Sequence, residues 1–320
     1  MKALYRIEHE TRYVHSGGVS TSQHVAYLTP RTLARQEVRW HNLVIDPAPA
    51  SRAQRMDYFG NAVEQFTILT PYDEMRVVGQ SVVEVIATAP PIALDASAPW
   101  EAVRDELFYK RGAPYDDAAE FSYPSPYAAT ASELAAFARA AFAPRRPLVL
   151  AAADLMHRIH SEFTFDPGST TIATPVTRVL ADRRGVCQDF AHLQIGCMRS
   201  LGLAARYVSG YLLTDPPPGQ PRLVGADASH AWLSVWCPKL GWVDLDPTND
   251  VLPSQRHVTL AWGRDYGDVS PLRGVVLGGR DHTLHVGVSV TPADEDDASS
   301  PAGLVHQPDQ DASLRKLFLR

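Results

Sequence analysis

Between residues 2 and 87, apolar and polar positions alternate with a period of two in short runs: "ALYRIEHETRYVH", "SQHVAYLTP", "QEVRWHNLVIDP", "VEQFTIL" and "MRVVGQSVVEVIA". Alternation rich in β-branched and aromatic residues, broken by the turn string "DYFGN" at 57–61, is the pattern of strands with one buried face. It predicts an all-β, sandwich-like domain over residues 1–88. The string "TAPPIALDASAP" at 88–99 has the Pro and Ala content of a linker, and residues 89–130 are expected to be linker and extended segment.

Beyond 130 the period changes to that of helices. "SELAAFARAAF" carries Glu133 in its first turn, and "LVLAAADLMHRIHSEF" follows Pro147, a residue suited to the start of a helix. The segment "CQDFAHLQIGCMRSL" at 187–201 differs from both, because Phe190, Leu193, Ile195, Cys197, Met198 and Leu201 go most of the way round the helix. Such a helix belongs in the middle of a core. Strand patterns follow at 205–213, 229–237, 241–246 and 282–290. Helices first and antiparallel strands afterwards give an α+β order, with the buried helix set against an antiparallel sheet in a core spanning 131–290. The tail 291–320 begins "TPADEDDASSPAG", is acidic and lacks aromatics near its start, and is expected to be disordered.

Composition narrows the function. A formal net charge of −6 and the absence of a Lys/Arg run argue against nucleic acid or an anionic membrane as partner. No uncharged apolar stretch is long enough to span a bilayer, and charged residues interrupt the first residues where a signal peptide needs an apolar run. Three cysteines, Cys187, Cys197 and Cys237, are too few for a disulfide scaffold, so a cytoplasmic protein is expected.

Cys187 is the candidate nucleophile. Gly185 and Val186 turn the chain, the cysteine falls in the first helical turn, and the free N–H groups there favour negative charge. A free thiol near neutral pH is mostly protonated, so a neighbouring imidazole is also needed. His230 in "DASHAWLSVW" is the candidate base and Asp246 in "GWVDLDPTND" the candidate orienter. Whether they meet depends on register, since a one-residue slip reverses every side chain. A two-residue loop at 239–240 would put Asp246 on the face opposite His230. A three-residue loop at 238–240, closed by Cys237 and Gly241, pairs Trp236 with Trp242 and brings the two within reach.

Cys, His and Asp in this arrangement form a geometry for nucleophilic acyl transfer. The strings "GVCQDFAHL", "LGLAARYVSGYL", "DASHAWLSVW" and "GWVDLDPTND" resemble the bacterial transglutaminase-like superfamily, as does "GRDYGDVSPLRG" at 263–274, and the β-rich start resembles the N-terminal domain that often precedes that core. The resemblance implies a papain-like α+β core and places a Cys-His-Asp triad on Cys187, His230 and Asp246. It implies a peptide or protein substrate whose amide is cleaved through a thioester. Hydrolysis is favoured over transfer to an amine because the sequence has no calcium loop of the D-x-D-x-D-G type and water is the default acceptor, and a non-catalytic peptide-binding module is the further alternative.

No cofactor is called for. A zinc site on Cys187, His192 and His230 has the wrong spacing, and no C-x2-C pair exists. The Cys187 backbone N–H is one natural oxyanion donor; Ala181 and Asp182 stand where papain-like enzymes often carry a Gln, leaving the second donor unassigned. Asp189 reads as an acid matched to the helix start, and His192 as a buried partner rather than the base. Tyr211, Asp227, Trp232, Arg264 and Asp265 are candidates for substrate binding. Trp232, Trp236 and Trp242 together could make a hydrophobic wall, and residues 214–229 a flap leading into His230.

Overall fold

The computed structural model describes residues 2–87, 93–112, 116–214 and 229–294. Its first sheet is built on one long strand, β1 (Lys2–Ala26), in which Tyr5, Ile7, His9 and Thr11 are buried at every second position. The partners in sequence order are β2 (Gln36–Asp46), β3 (Ser51–Met56), β4 (Ala62–Ile68) and β5 (Tyr72–Ile86). Two registers share β1. Residues 2–14 pair with β5, and residues 22–26 pair with β4. Between them lie Ser16, Gly17 and Gly18. Leu43, Ile45, Met75 and Val77 from the first half pack against Phe66 and Ile68 from the second, which gives the expected sandwich-like, β-rich start.

Helices follow: α1 (Trp100–Leu107) within the segment read as linker, then α2 (Ser132–Arg139) and α3 (Leu148–Glu162). Pro99 and Pro147 stand immediately before α1 and α3, where a missing N–H costs nothing. Strand β6 (Thr164–Phe165) pairs in parallel with β7 (Arg184–Gly185) on either side of α4 (Val176–Asp182), and β7 leads into α5 (Cys187–Ser200). Every residue of α5 from Asp189 to Arg199 is buried, as a helix apolar all round requires. Arg199 is accommodated there because it donates to the carbonyls of Phe121, Ala205 and Arg264 and to Ser125 Oγ.

The second sheet contains β8 (Ala205–Leu212), β9 (Ser229–Cys237), β10 (Gly241–Leu245) and β11 (His257–Gly263), antiparallel in the order β10-β9-β8-β11. Phe190, Leu193 and Ile195 of α5 share one apolar core with Ala231, Leu233 and Val235 of β9. The molecule is α+β, with a buried helix on an antiparallel sheet.

The chain then returns to its beginning. After α6 (Tyr266–Val269), β12 (Leu272–Gly278) pairs with the second half of β1, and β13 (His282–Pro292) pairs with the first half. The strand expected at 282–290 thus forms, but in the first sheet rather than in the core, and it takes in Thr291 and Pro292 of the segment expected to be disordered. Residues 295–320 lie outside the described residues. The reason is apolar matching: Val288 and Val290 join Tyr5, Ile7, Val83 and Val85 against Tyr211, Val258 and Leu260, binding the two sheets together. No helix of the described residues is long and apolar enough to cross a membrane.

Gly210 of β8 shows how closely the second sheet is packed. A Cβ there would stand 2.2 Å from the Val258 carbonyl oxygen and 2.4 Å from the Trp232 ring. Gly210→Ala is expected to lower stability by about 3 kcal/mol, the upper range for overpacking. Urea unfolding followed by tryptophan fluorescence measures it, and an unchanged midpoint contradicts the packing described.

Candidate active site

The site begins with the turn before α5. Asp189 reaches back from the first helical turn, where its Oδ2 accepts the Val186 N–H at 2.8 Å and the Thr170 hydroxyl at 2.6 Å. Only glycine fits at 185, because a Cβ there would lie 2.8 Å from the Asp189 Cβ. Asp189 is therefore the acid that closes the helix start, as its position suggested. The same closure fixes Cys187 as the first residue of α5, half-buried, and near enough to His230 for the two to interact electrostatically.

The β9-β10 hairpin supplies the rest. Cys237 pairs with Gly241 and Trp236 with Trp242, so the loop is the three-residue one, and Leu240 donates to the Cys237 carbonyl at 3.1 Å. Lys239 and Gly241 take positive φ, 71° and 74°, to close so short a turn. This parity carries Asp246 to His230: Asp246 Oδ2 and His230 Nε2 are 2.7 Å apart, with both residues buried. With Nε2 so engaged, Nδ1 is the ring nitrogen left for the sulfur.

Asp246 gathers five N–H groups. Its Oδ1 accepts the backbone N–H of Thr248 at 3.0 Å and of Asn249 at 3.2 Å, and Oδ2 receives His230, the Asn249 amide at 2.8 Å and His257 Nε2 at 3.0 Å. Burial alone would raise this carboxyl, but hydrogen bonds from His230, His257 and Asn249 and the charge of His230 hold it far below the usual carboxylate range. Burial likewise pushes His230 down, and the hydrogen bonds and charges of Asp246 and Cys187 outweigh it and lift the imidazole to about 10. The imidazolium is thus the favoured form at neutral pH.

Sequence proximity misplaced several other candidates. Trp232 is wholly buried, lying over Gly210 and edge-on to the His257 ring at 5.3 Å, so it cannot line a substrate wall. Trp236 and Trp242 lie against each other, tilted by 56° with ring centres 5.4 Å apart, beside the β9-β10 turn rather than at His230. Tyr211 directs its hydroxyl to His9 Nδ1 of β1 at 3.0 Å and belongs to the apolar layer between the sheets. Arg264 is paired through two nitrogens with Asp268. Asp265 is buried, accepting the backbone N–H of Gly267 and of Tyr127, which holds α6 against the loop before α2. Asp227 and most of the expected flap lie outside the described residues.

His192 is a buried partner: Nε2 accepts the Tyr266 N–H at 3.1 Å, and burial lowers the ring to about 3. That bond removes it from any zinc set with Cys187. Among the described residues, His230, Asp246 and His257 are the one group whose potential metal-ligating atoms gather within 4.8 Å, and here those atoms serve the hydrogen bonds described above.

Two residues at the site were not singled out from sequence. Asn249 had a signal, since it lies in "DPTND" at the spacing at which an Asp side chain caps its own turn. His257 had none, because it arrives from a different strand.

Residues 5–84 match the family described as the bacterial transglutaminase-like N-terminal region, and residues 135–247 match the transglutaminase-like superfamily. An uncharacterized protein of Mycobacterium tuberculosis is 43% identical over 299 residues, 91% of this chain and 94% of its own. One from Mycobacterium leprae is 33% identical over 293 residues, 89% and 98% of the respective chains. A protein-glutamine gamma-glutamyltransferase of Pseudomonas aeruginosa is 34% identical over 139 residues, 40% of this chain and 21% of that one. In fold, the chain is similar to the crystal structure of a candidate cysteine protease from Cytophaga hutchinsonii, with a TM-score of 0.68, 19% identity and 92% of each chain covered.

The paired shifts set a pH signature. His230 is raised above its ordinary 6.5, so its share of stability is complete below about that pH and is lost as pH rises through about 10. Asp246 is lowered from 3.8, so its share is complete above that value and is lost as pH falls beneath it. Asp246→Asn is expected to cost about 3 kcal/mol near pH 5 to 6, in keeping with a broken buried pair, and the gap should narrow towards pH 10. Urea unfolding across pH checks this; a gap that does not change with pH contradicts it.

Proposed function

This chain belongs to the transglutaminase-like superfamily, and we propose that it is a cysteine-dependent acyl-transfer enzyme that cleaves a peptide or isopeptide amide. The observation that carries the reading is the buried His230–Asp246 hydrogen bond, with the Cys187 sulfur at a helix start and electrostatically coupled to the same imidazole.

In this mechanism the Cys187 sulfur, as thiolate, attacks the amide carbonyl carbon, and the oxyanion is met by the Cys187 N–H, which the helix start leaves free for it. As the C–N bond breaks, His230 gives its proton from Nδ1 to the leaving amine, and a thioester remains on Cys187. Water then loses a proton to His230 as its oxygen adds to the thioester; the sulfur departs, and a carboxylic acid is released. Asp246 keeps Nε2 protonated and the ring aligned throughout. A cytoplasmic location belongs to the same proposal, supported by three cysteines that are all free thiols.

Water and an amine differ only in which nucleophile meets the thioester. The stretch of similarity to the Pseudomonas aeruginosa gamma-glutamyltransferase favours the amine as the second reading. Incubation with peptide libraries, with and without a primary amine, followed by mass analysis of products, separates the two. Gain of one water at a cleaved amide is expected, and amine conjugates would establish transfer instead. Cys187→Ala should remove either activity by at least a thousandfold while leaving the fold intact; unchanged turnover would end the proposal.

A further inference from the structure

His257 reaches the site from β11, which is an edge strand of the second sheet and pairs there only with β8. Its outer edge is nonetheless occupied. Gln36, at the start of β2, donates through Nε2 to the Thr259 carbonyl at 2.7 Å and accepts the Thr259 N–H through Oε1 at 2.7 Å. Asn61, just before β4, does the same for Trp262, with Nδ2 to the carbonyl at 2.8 Å and the N–H to Oδ1 at 3.0 Å. Two side-chain amides of the N-terminal β unit thus satisfy both backbone groups of two β11 residues, as a neighbouring strand would. The Arg31 guanidinium adds a stacking contact, 3.5 Å from the centre of the Trp262 ring.

Thr259 is two residues from His257, and the ladder to β8 shifts register just beyond it, between Thr259 and Ala261. At this held position the His257 ring lies edge-on to Trp232 and places Nε2 at 3.0 Å from Asp246 Oδ2. Its other nitrogen, Nδ1, is buried without a partner among the described residues. A proton there would be a buried donor with nothing to receive it. The Nε2–H points at the carboxylate, which can only accept. The titratable groups facing this carboxylate are His230 and His257, and those facing His230 are Asp246, Cys187 and the His257 ring at 6.0 Å.

We propose that His257 is a positioning residue of the site, a donor that shares Asp246 Oδ2 with His230 and is delivered there by the N-terminal β unit through Gln36. The proposal rests on the reading of Cys187, His230 and Asp246 as the reacting set. Its physical content is a division of charge. An oxygen that accepts three N–H groups gives less of its charge to each, so His257 moderates how strongly Asp246 raises the basicity of the His230 ring, whose Nδ1 proton must leave during amide cleavage. The N-terminal unit is then a working part of the site rather than a cover over it.

Imidazole nitrogen and proton NMR of the full chain tests this without a known substrate. His257 is expected to carry a proton on Nε2, and His257→Ala to move the His230 Nε2–H resonance downfield as the carboxylate oxygen loses one of its three donors. His257→Gln, which keeps an amide N–H at similar reach, should leave that resonance near its wild-type position. Gln36→Met should move it in the same direction as His257→Ala. On any amide substrate found, His257→Ala should lower kcat about tenfold with KM unchanged, and His257→Gln should stay within threefold. A His257 with no proton on Nε2, or a His230 signal unmoved in His257→Ala, overturns the role of His257; a signal unmoved only in Gln36→Met overturns the part assigned to the N-terminal unit. If His230→Ala left amide cleavage unchanged, the triad itself would fail and the inference with it, a result distinct from either of these.

Discussion

The carboxylate of Asp246 is the point on which the site depends. It is buried at 0% exposure, a place where an ionised group is costly unless its lone pairs are filled, and five N–H groups fill them. The donors come from three separate parts of the fold. The backbone N–H groups of Thr248 and Asn249 come from the turn after Pro247, His230 from the register of one hairpin, and His257 from the edge of the sheet. A change in any of these would leave a buried charge short of partners, so the carboxylate both demands and reports the correct assembly of the surrounding elements.

That dependence extends beyond the core that carries the cysteine. The first sheet takes β12 and β13 from the end of the described chain on either half of β1, so the two ends of the described chain form one layer. This layer meets β8 and β11 through Tyr5, Ile7, Val83, Val288 and Val290 and through the amides of Gln36 and Asn61. Apolar area gives the contact its strength, while the amides give it a register, because each can satisfy only a residue whose N–H and C=O both face outward. The Arg31, Trp262, Arg206 and Trp242 stack extends the same seam, with Arg206 3.7 Å from the Trp262 ring centre and 4.4 Å from that of Trp242.

Much of this was legible in the sequence because it follows from short-range periodicity. The alternation of β1 to β5, the all-round apolar character of α5 and the parity argument at the β9-β10 turn each use neighbours within a few residues. The parity argument placed Asp246 beside His230 because a strand reverses its faces at every residue, which leaves only two answers. What the sequence concealed was long-range. β11 is not among the strand patterns read from the sequence, and β12 and β13 could be assigned to a sheet only by knowing which apolar face they complete. Tyr211, Trp232, Arg264 and Asp265 stand close to the motifs along the chain, yet their side chains are directed to His9, His257, Asp268 and the start of α6. Adjacency in sequence says little about orientation once a bulge or a turn intervenes.

The central claim is that Cys187 takes the acyl group itself, with His230 and Asp246 moving and holding the proton. Rapid-quench mass spectrometry of the peptide containing Cys187 during turnover of an amide substrate tests it most directly. The account predicts an added acyl mass on Cys187 that hydroxylamine removes and that builds up when the second step is slowed. Turnover that proceeds at full rate with no adduct on Cys187 at any time would contradict it.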